Sequence, residues 1–292
     1  MREILSARRA NRDTRYVWGM TEAPVLYDVS DGVATITLNR PETLNAMNSD
    51  LMGGIVTCLD QVESDQTVRV VVLTGAGRGF CSGADLSSGP SGEVEGVPID
   101  SGEASAQAMD EYFNPVVRAL ADCSVPTICR VNGVAAGGGL GLSLSADITI
   151  AARSASFVAT FGPRIGIVPD VGSTWHLATR VGRARALGIS LLGDRITAEA
   201  ALDMGLIWAV VDDDQLDEAV AGLTSRLKRS SPDTTRRIRD AIDSALNNDV
   251  SEQLDVERDH QRVLIPLNME EGAAAFREKR DPVFRGSRTE GL

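Results

Sequence analysis

The sequence has few residues of the types that build metal centres. Its 292 residues include two histidines, His176 and His260, which lie far apart and form no HExxH pattern. The four cysteines form no CxxC pair and have no histidine nearby at a zinc-binding spacing. We therefore expect no metal site built from side chains, and we expect reduced thiols, as is usual for a protein of the cytoplasm.

The sequence also has fewer basic residues than acidic residues. The chain has 29 Lys and Arg against 41 Asp and Glu, which gives a formal net charge of -12 at pH 7. Such a surface repels phosphate backbones and anionic lipid headgroups. The sequence contains no run of about 18 apolar residues, and its beginning lacks the apolar stretch of a secretory signal. We expect a cytoplasmic protein that binds neither nucleic acid nor membranes.

The chain is predicted to have three parts. Residues 1–19 contain five arginines and differ from the acidic remainder, so we predict a disordered or non-native extension there. Residues 20–213 alternate strand and helix patterns, which predicts an α/β core domain. Residues 214–292 contain mainly helical patterns, with breaks expected near Pro232, Asn247-Asn248 and Pro266. This last part is predicted to be a separate helical region.

Local patterns predict several elements within the core domain. They are a hairpin turning at Asp31-Gly32, a helix capped by Ser49 and ending near Glu63, a buried strand over Arg69–Gly75 and a helix over Gln107–Asp122. The stretch Ser87–Ser105 is rich in Gly, Ser, Pro and acids, which predicts a mobile surface loop. Trp175 and Trp208 are predicted to be core residues.

Common nucleotide-binding and hydrolase motifs do not fit the glycine-rich segments. GAGRGF has Phe80 where the dinucleotide-binding pattern GxGxxG needs glycine, and no GxxxxGK[ST] occurs. The segment Gly79–Gly83 has the spacing of a nucleophile elbow around Cys81, with His176 as a conceivable base. An elbow follows its strand directly, whereas several loop residues follow Thr74 here. We therefore interpret Cys81 and His176 as packed residues.

Two glycine-rich turns each follow a predicted buried strand. They are Cys81–Asp85 and Ala136–Gly139, called here the two glycine turns. Glycine allows a ligand to approach the main chain closely, and the second turn leads into a helix whose first N–H groups have no partner within that helix. Two N–H groups directed at one carbonyl oxygen would stabilise an oxyanion. On these residues alone, tight α/β connections are the more common explanation of such glycine clusters.

Four motifs together resemble the crotonase, or enoyl-CoA hydratase/isomerase, superfamily. The segments LNRPETLNAMN, GAGRGFCSGADL, VNGVAAGGGLGLSLSADI and EGAAAFREKRDPVF occur in the family's order and spacing between Val25 and Phe284. The resemblance implies an α/β fold, a spiral of ββα units with a C-terminal helical oligomerisation region. It also implies an acyl-CoA substrate, no separate cofactor, and a homotrimer or a hexamer of two trimers.

The resemblance also implies which residues form the site. The N–H groups of Ala84 and Gly138 match the family's oxyanion hole. Lys279 matches a lysine that often contacts CoA from a neighbouring subunit, although a solvated surface charge explains it too. The other positions matched to substrate or CoA binding are Asn45, Ala46, Gly83, Asp85, Leu86, Gly137, Gly141 and Pro169.

The glutamate pattern of the family's hydratases is absent. The first of their two glutamates corresponds to Gly141, and the stretch Phe157–Gly166, which matches the second, contains no acid. The segment GIVPDVGSTWHL instead resembles enoyl-CoA isomerases and isomerases of phenylacetyl-CoA epoxides, where the aspartate after Val-Pro carries the proton. That residue is Asp170.

The resemblance predicts that Asp170 moves a proton from C2 to C4 and converts a 3-enoyl-CoA into a 2-enoyl-CoA. A free aspartate is ionised at neutral pH, and burial among Ile167, Val168 and Val171 would raise its basicity. Three alternatives stay open. Asp170 is only a turn or cap residue, the enzyme is a hydratase in which Asp170 alone handles water, or the protein binds acyl-CoA without catalysis.

Overall fold

The computed structural model describes residues 23–87, 93–94, 97–98 and 100–284. The extension predicted over residues 1–19 lies outside them. The loop predicted over Ser87–Ser105 was wrong at its C-terminal end, because a helix begins there at Ser101. The Asp100 carboxylate caps this helix by accepting the N–H groups of Gly102 and Glu103, at 2.8 and 3.2 Å.

The largest sheet has six strands in the order β1-β2-β3-β7-β9-β12. They are Val25–Ser30 (β1), Val33–Leu38 (β2), Val70–Gly75 (β3), Thr127–Val131 (β7), Ile148–Ala152 (β9) and Ala209–Val211 (β12). β1 and β2 form the predicted hairpin, whose turn residues Asp31 and Gly32 have φ of 47° and 73°. The other neighbours are parallel, and every residue of β3 is buried, as expected for a central parallel strand.

A second sheet of four short strands has the order β11-β10-β8-β4. Its strands are Gly79–Cys81 (β4), Val134–Ala136 (β8), Ser156–Val158 (β10) and Ile196–Thr197 (β11), and a separate pair is formed by Glu93–Val94 (β5) and Val97–Pro98 (β6). Along the chain, β3, β7 and β9 of the large sheet are each followed by a strand of the second sheet and then by a helix. This repeated ββα unit confirms the predicted spiral.

Nine α-helices complete the described chain. They are Ser49–Ser64 (α1), Ser101–Ala108 (α2), Asn114–Ala121 (α3), Gly138–Leu144 (α4), Ser173–Leu192 (α5), Ala198–Asp203 (α6), Leu216–Lys228 (α7), Pro232–Ala245 (α8) and Val250–Glu278 (α9). The cap of α1 is Asn48 rather than Ser49, because its side chain accepts the N–H of Leu51 at 2.9 Å. A π-helical turn, Met109–Phe113, joins α2 to α3.

The C-terminal helices follow the predicted boundaries at two of three places. Pro232 begins α8, and Asn247-Asn248 separate α8 from α9. The break predicted at Pro266 was wrong, because α9 continues through it. A proline removes one hydrogen bond from a helix, but the remaining turns and a capping box between Asp249 and Glu252 hold α9 together.

The prediction for the two tryptophans was also wrong. Trp175 is 52% exposed and Trp208 is 65% exposed. Both side chains line a cavity of about 610 Å³ that is also lined by residues of α8, such as Ile238 and Ile242. The apolar surface they provide faces this cavity instead of the core, which is built from the parallel strands and the helices packed on them.

Candidate active site

The first glycine turn holds the Ala84 amide in an extended segment. Ala84 forms a parallel bridge with Met47, in which the Met47 N–H donates to Gly83 O and the Asp85 N–H donates to Met47 O, both at 2.8 Å. Successive N–H groups of an extended chain face opposite sides. The Ala84 N–H therefore faces away from Met47, and it donates to no acceptor among the described residues.

The second glycine turn leads directly into α4. Gly137 adopts φ 53°, a left-handed conformation that glycine takes without strain, and its N–H donates to Val158 O at 2.9 Å. Gly138 is the first residue of the helix, so its N–H has no partner within α4. Within the described part of the chain this N–H has no acceptor elsewhere.

The two glycine turns touch each other. A Cβ atom built on Gly83 would lie 2.9 Å from Ala136 O and 3.4 Å from Gly138 N. A Cβ atom built on Gly137 would lie 3.6 Å from Gly83 Cα. The structure thus brings the matched residues Gly83, Ala84, Gly137 and Gly138 to one place, with two main-chain N–H groups available for a ligand.

Asp170 lies against the same glycine. A Cβ atom built on Gly138 would lie 3.5 Å from Asp170 Oδ1 and 3.0 Å from Val171 Cγ2. Asp170 and the preceding Pro169 are half-buried, and burial raises the pKa of the Asp170 carboxyl above its usual range. Asp170 makes no ion pair within the described residues. A carboxylate of increased basicity therefore stands beside the available amides.

The turn after Asp170 has an unusual backbone. Val171 and Gly172 have φ of 49° and 72°, and a β-branched residue at positive φ is strained. Packing holds Val171 in place, since it is 2% exposed. Ile167 and Val168 are exposed instead. Only Val171, of the three apolar residues predicted to bury Asp170, has the expected position.

The position of the first hydratase glutamate is filled by main chain. Gly141 is fully buried in α4, and a Cβ atom built on it would collide with Val171 O and lie 2.6 Å from Ser173 Oγ. Any side chain at position 141 would have to displace the turn that carries Asp170. The absence of a glutamate here is therefore tied to the conformation of residues 171–173.

Two of the matched residues have internal structural contacts. The Asn45 side chain is fully buried; its Oδ1 accepts the Arg40 N–H, and its Nδ2 lies 3.0–3.1 Å from the main-chain oxygens of Ala76, Gly79 and Phe80. Ala46 is 7% exposed. These contacts shape the loop before Met47 and leave the Asn45 amide no free donor for a ligand.

Asp85 and Leu86 differ strongly in their surroundings. The Asp85 carboxylate accepts hydrogen bonds from Ser87 and pairs with Arg40 at 2.9 Å, and these contacts lower the pKa of Asp85 to about 2. Leu86 is 71% exposed. Its apolar side chain is therefore available to a ligand, whereas the Asp85 carboxylate is already bound within the protein.

Lys279 follows α9 and adopts a left-handed conformation, with φ 54°. The hydrogen bonds between α9 and other helices of the described chain join it to α8, as from Gln253 Nε2 to Ala241 O at 2.8 Å. None joins the end of α9 to the two glycine turns. Within the part of the chain that the structure describes, no hydrogen bond or ion pair links Lys279 to the other matched residues.

The elbow-like segment is packed as predicted. Cys81 is fully buried, and burial raises the pKa of its thiol to about 12, so it carries no thiolate at neutral pH. Burial lowers the pKa of His176 to about 4, and its Nε2 lies 3.3 Å from Ser145 Oγ. Neither residue has the properties of a catalytic thiol and its base.

The described residues form neither a metal-binding cluster nor a membrane span. No cluster of three or more His, Cys, Asp or Glu side chains has a geometry that could hold a metal ion. No described helix is long and apolar enough to cross a bilayer.

Comparisons with known proteins show the family of this chain. The sequence model of the enoyl-CoA hydratase/isomerase family matches residues 28–287. The chain is 45% identical to 1,2-epoxyphenylacetyl-CoA isomerase of Escherichia coli K12, over 90% of this chain and 98% of that protein. It is 38% identical to a probable enoyl-CoA hydratase of Rhodobacter capsulatus, over 91% and 100% of the two chains.

Solved structures share the fold. A probable enoyl-CoA hydratase/isomerase from Mycobacterium abscessus superimposes with a TM-score of 0.81 at 32% identity, covering 90% of this chain and 98% of that one. The family model, these relatives and the crotonase fold agree, and the chain belongs to the enoyl-CoA hydratase/isomerase family.

Proposed function

We propose that this family member moves the double bond of an acyl-CoA from the 3-position to the 2-position, with Asp170 as the single acid and base. The observation that carries the proposal is the place of Asp170 Oδ1, 3.5 Å from a Cβ built on Gly138. A thioester whose oxygen accepted the N–H groups of Ala84 and Gly138 would have its C2 atom near this carboxylate.

The two N–H groups would lower the energy of the enolate. As negative charge develops on the thioester oxygen, two donors stabilise it, and loss of one such donor can cost about 3–4 kcal/mol. C2–H then becomes acidic enough for a carboxylate to remove the proton. The raised pKa of Asp170 makes it a stronger base than an exposed aspartate.

The proton transfers balance without another reactant. Asp170 removes a proton from C2, and the C–H electron pair forms the C1–C2 double bond of the enolate while the oxygen takes the charge. The enolate then re-forms its carbonyl, C2 and C3 become doubly bonded, and the former C3–C4 π pair takes the proton from Asp170 at C4. The product is the conjugated 2-enoyl thioester.

The closed position at Gly141 supports isomerisation over hydration. The hydratase pattern places a carboxylate there to position water, and the 171–173 turn occupies that space here. A hydratase using Asp170 alone and a protein that only binds acyl-CoA are the competing functions, and each gives a different result in the assay below.

The test follows the absorbance of the conjugated thioester with 3-hexenoyl-CoA and with 2-hexenoyl-CoA. We expect absorbance to rise with the 3-ene and to stay constant with the 2-ene. We expect Asp170→Asn to reduce the rate at least about a hundredfold, since general acid–base catalysis contributes about 10²–10⁴-fold. Asp203→Asn, at an exposed aspartate of α6, is the matched control and should retain the rate.

Other outcomes separate the alternatives. A fall in absorbance with the 2-ene would indicate hydration, and binding without a change in either reaction would indicate a protein that only binds acyl-CoA. An Asp170→Asn variant with the wild-type rate would remove Asp170 from the mechanism.

A further inference from the structure

Helix α4 and the first part of helix α5 lie side by side and run in the same direction. At their beginnings, a Cβ atom built on Gly138 would lie 3.5 Å from Asp170 Oδ1. One helical turn further on, a Cβ atom built on Gly141 would lie 2.6 Å from Ser173 Oγ. The contact between the two helices therefore starts at the candidate active site and continues along α4.

The other end of this contact is held by Arg180 of α5. Its Nη2 donates to Leu144 O at 2.5 Å and to Ala146 O at 3.0 Å, and its Nη1 donates to Leu206 O at 3.2 Å. Leu144 ends α4, and the last carbonyl groups of a helix have no partner within that helix. Because the three accepting residues are buried, removal of the guanidinium would leave their oxygens with one partner fewer in the interior.

Arg180 has no carboxylate partner within the described residues. This differs from Arg40 and Arg239, which pair with Asp85 and Asp147. Burial lowers the pKa of the Arg180 guanidinium, but an arginine in a protein stays charged. Placing a charge in the interior without a counter-charge costs stability. The arrangement therefore points to a role other than stabilising the fold.

Arg180 belongs to the same helical segment that follows Asp170. Gly182 interrupts α5 with φ 75° and ψ 162°, so residues 173–181 form its first continuous segment. At the start of this segment the Ser173 N–H donates to Asp170 O at 2.9 Å, and Arg180 lies in its last turn. A movement of this segment relative to α4 would therefore move Asp170 relative to the Gly138 N–H.

We propose that Arg180 is a positioning residue, which sets the distance between the Gly138 N–H and the Asp170 carboxylate without touching the substrate. This inference rests on the proposed function, in which that N–H binds the thioester oxygen. Arg180 fixes the end of α4 to the segment that follows Asp170, while the substrate binds at the beginnings of both. Misplacement of a reacting group by about 1 Å can reduce a rate about a hundredfold.

The test combines kinetics with a ligand that does not react. The ligand is hexanoyl-CoA with ¹³C at its carbonyl carbon, because donors to the thioester oxygen move the NMR signal of this carbon downfield. The variants are Arg180→Met, which keeps an apolar stem, and Arg180→Lys, which keeps the charge. The matched control is Arg69→Met, at a half-buried arginine before β3 whose Nη2 donates to Ser230 O at 2.7 Å.

We expect Arg180→Met to reduce kcat for 3-hexenoyl-CoA at least about tenfold, with a smaller change in KM. Its bound ¹³C signal should lie closer to that of free hexanoyl-CoA than the wild-type signal does. Arg180→Lys should give intermediate values, because one ammonium group cannot replace both Nη groups. Arg69→Met should keep the wild-type signal and kcat. A residue that only stabilised the fold would change the melting temperature but not the signal of a ligand bound to folded protein.

A wild-type signal and kcat in Arg180→Met would overturn the inference, and the same result in Arg180→Lys would do so if Arg180→Met does not fold. Failure of the proposed function gives different results. A wild-type protein whose bound signal equals that of the free ligand would remove the Gly138 donor, and the role of Arg180 with it. If the downfield signal is present in the wild type and lost in Arg180→Met, yet 3-hexenoyl-CoA is not isomerised, the proposed reaction fails while the role of Arg180 stands.

Discussion

Arg40 links the loop before Met47 to Asp85, the residue that follows Ala84. Its Nη1 donates to Ala46 O at 2.6 Å, and its Nη2 pairs with Asp85 Oδ2 at 2.9 Å. Its own N–H donates to Asn45 Oδ1 at 2.9 Å. The side chain thereby fixes the loop before Met47 against the residue that follows Ala84.

We expect Arg40→Gln to reduce kcat about tenfold or more with a smaller change in KM, because an oxyanion donor displaced by about 1 Å loses much of its effect. Steady-state kinetics with 3-hexenoyl-CoA measure this. Partial recovery in Arg40→Lys, which restores the charge but not the paired contacts, is expected. An unchanged kcat in Arg40→Gln would show that the main-chain bridge alone holds Ala84.

The raised pKa of Asp170 gives activity a defined pH dependence. A protonated carboxyl cannot accept a proton, so kcat/KM should fall as pH decreases through the pKa of Asp170 in the folded enzyme. Because burial raises this pKa, the midpoint should lie above about 3.9, the value of a free aspartate. A pH–rate profile checks this, with a parallel measurement that the protein stays folded at each pH. A midpoint at or below the pKa of a free aspartate would contradict the prediction.

The same shift makes Asp170 a source of instability at neutral pH. A carboxyl whose pKa is raised on folding favours the folded state while it is protonated. That contribution is lost as pH rises from the unfolded pKa through the folded one. Asp170→Asn should therefore raise the melting temperature at pH 7 while removing activity, and should have less effect on stability at pH 3.5. Calorimetry of the two proteins at both pH values tests this, and a lower melting temperature at pH 7 would contradict it.

Helix α4 begins with two adjacent glycines, Gly138 and Gly139, that have different neighbours. A Cβ atom on Gly139 would collide with the Cys81 carbonyl oxygen, which is main chain and cannot move independently. A Cβ atom on Gly138 would meet Met47 Cε, the flexible end of a side chain, and would project toward Asp170. A substitution at Gly139 should therefore affect mainly the packing of the helix, whereas one at Gly138 should affect mainly the reaction.

We expect Gly139→Ala to destabilise the protein by about 1–3 kcal/mol, as overpacking does, with little change in the kcat of the folded protein. Gly138→Ala should cost less stability but reduce kcat, because its methyl group enters the space between the amide and the carboxylate. Urea unfolding and kinetics of both variants test the contrast. Equal stability losses would show that Met47 cannot move aside.

The sequence motifs predicted which residues would meet but not how the chain holds them. The spacing of the two glycine turns and of Asp170 matched a family pattern, and the structure brings these residues together. Three features had no local signal. They are the left-handed Val171, the internal hydrogen bonds of Asn45, and the Arg40–Asp85 pair, and each depends on segments that are far apart in sequence.

The errors have a similar origin. Tryptophan is usually buried, and a proline usually ends a helix, so the sequence predicted a core role for Trp208 and a break at Pro266. Trp208 instead faces a cavity shared with α8, and Pro266 lies in a helix that continues for three turns beyond it. The preferences of single residues did not predict these features, because both depend on how the C-terminal helices pack.

The last helix of the chain, α9, exposes apolar side chains to solvent. Leu254, Ile265, Leu267, Met269 and Phe276 of α9 are each at least 50% exposed. Exposed apolar surface of this kind marks interaction sites, and the family resemblance predicts a homotrimer or a hexamer. Analytical ultracentrifugation should give a mass of three or six chains, whereas Leu267→Glu/Phe276→Glu should shift it toward one chain. A monomeric wild type would contradict the prediction.

The predicted oxyanion donors, finally, are main-chain groups. Every residue except proline has an N–H, so exchanging the side chain at position 84 or 138 cannot delete the donor. Evolution can therefore alter what happens to the activated thioester by changing neighbouring side chains, while the activation itself is inherited with the backbone. A fold built in this way can diversify its reactions one carboxylate at a time.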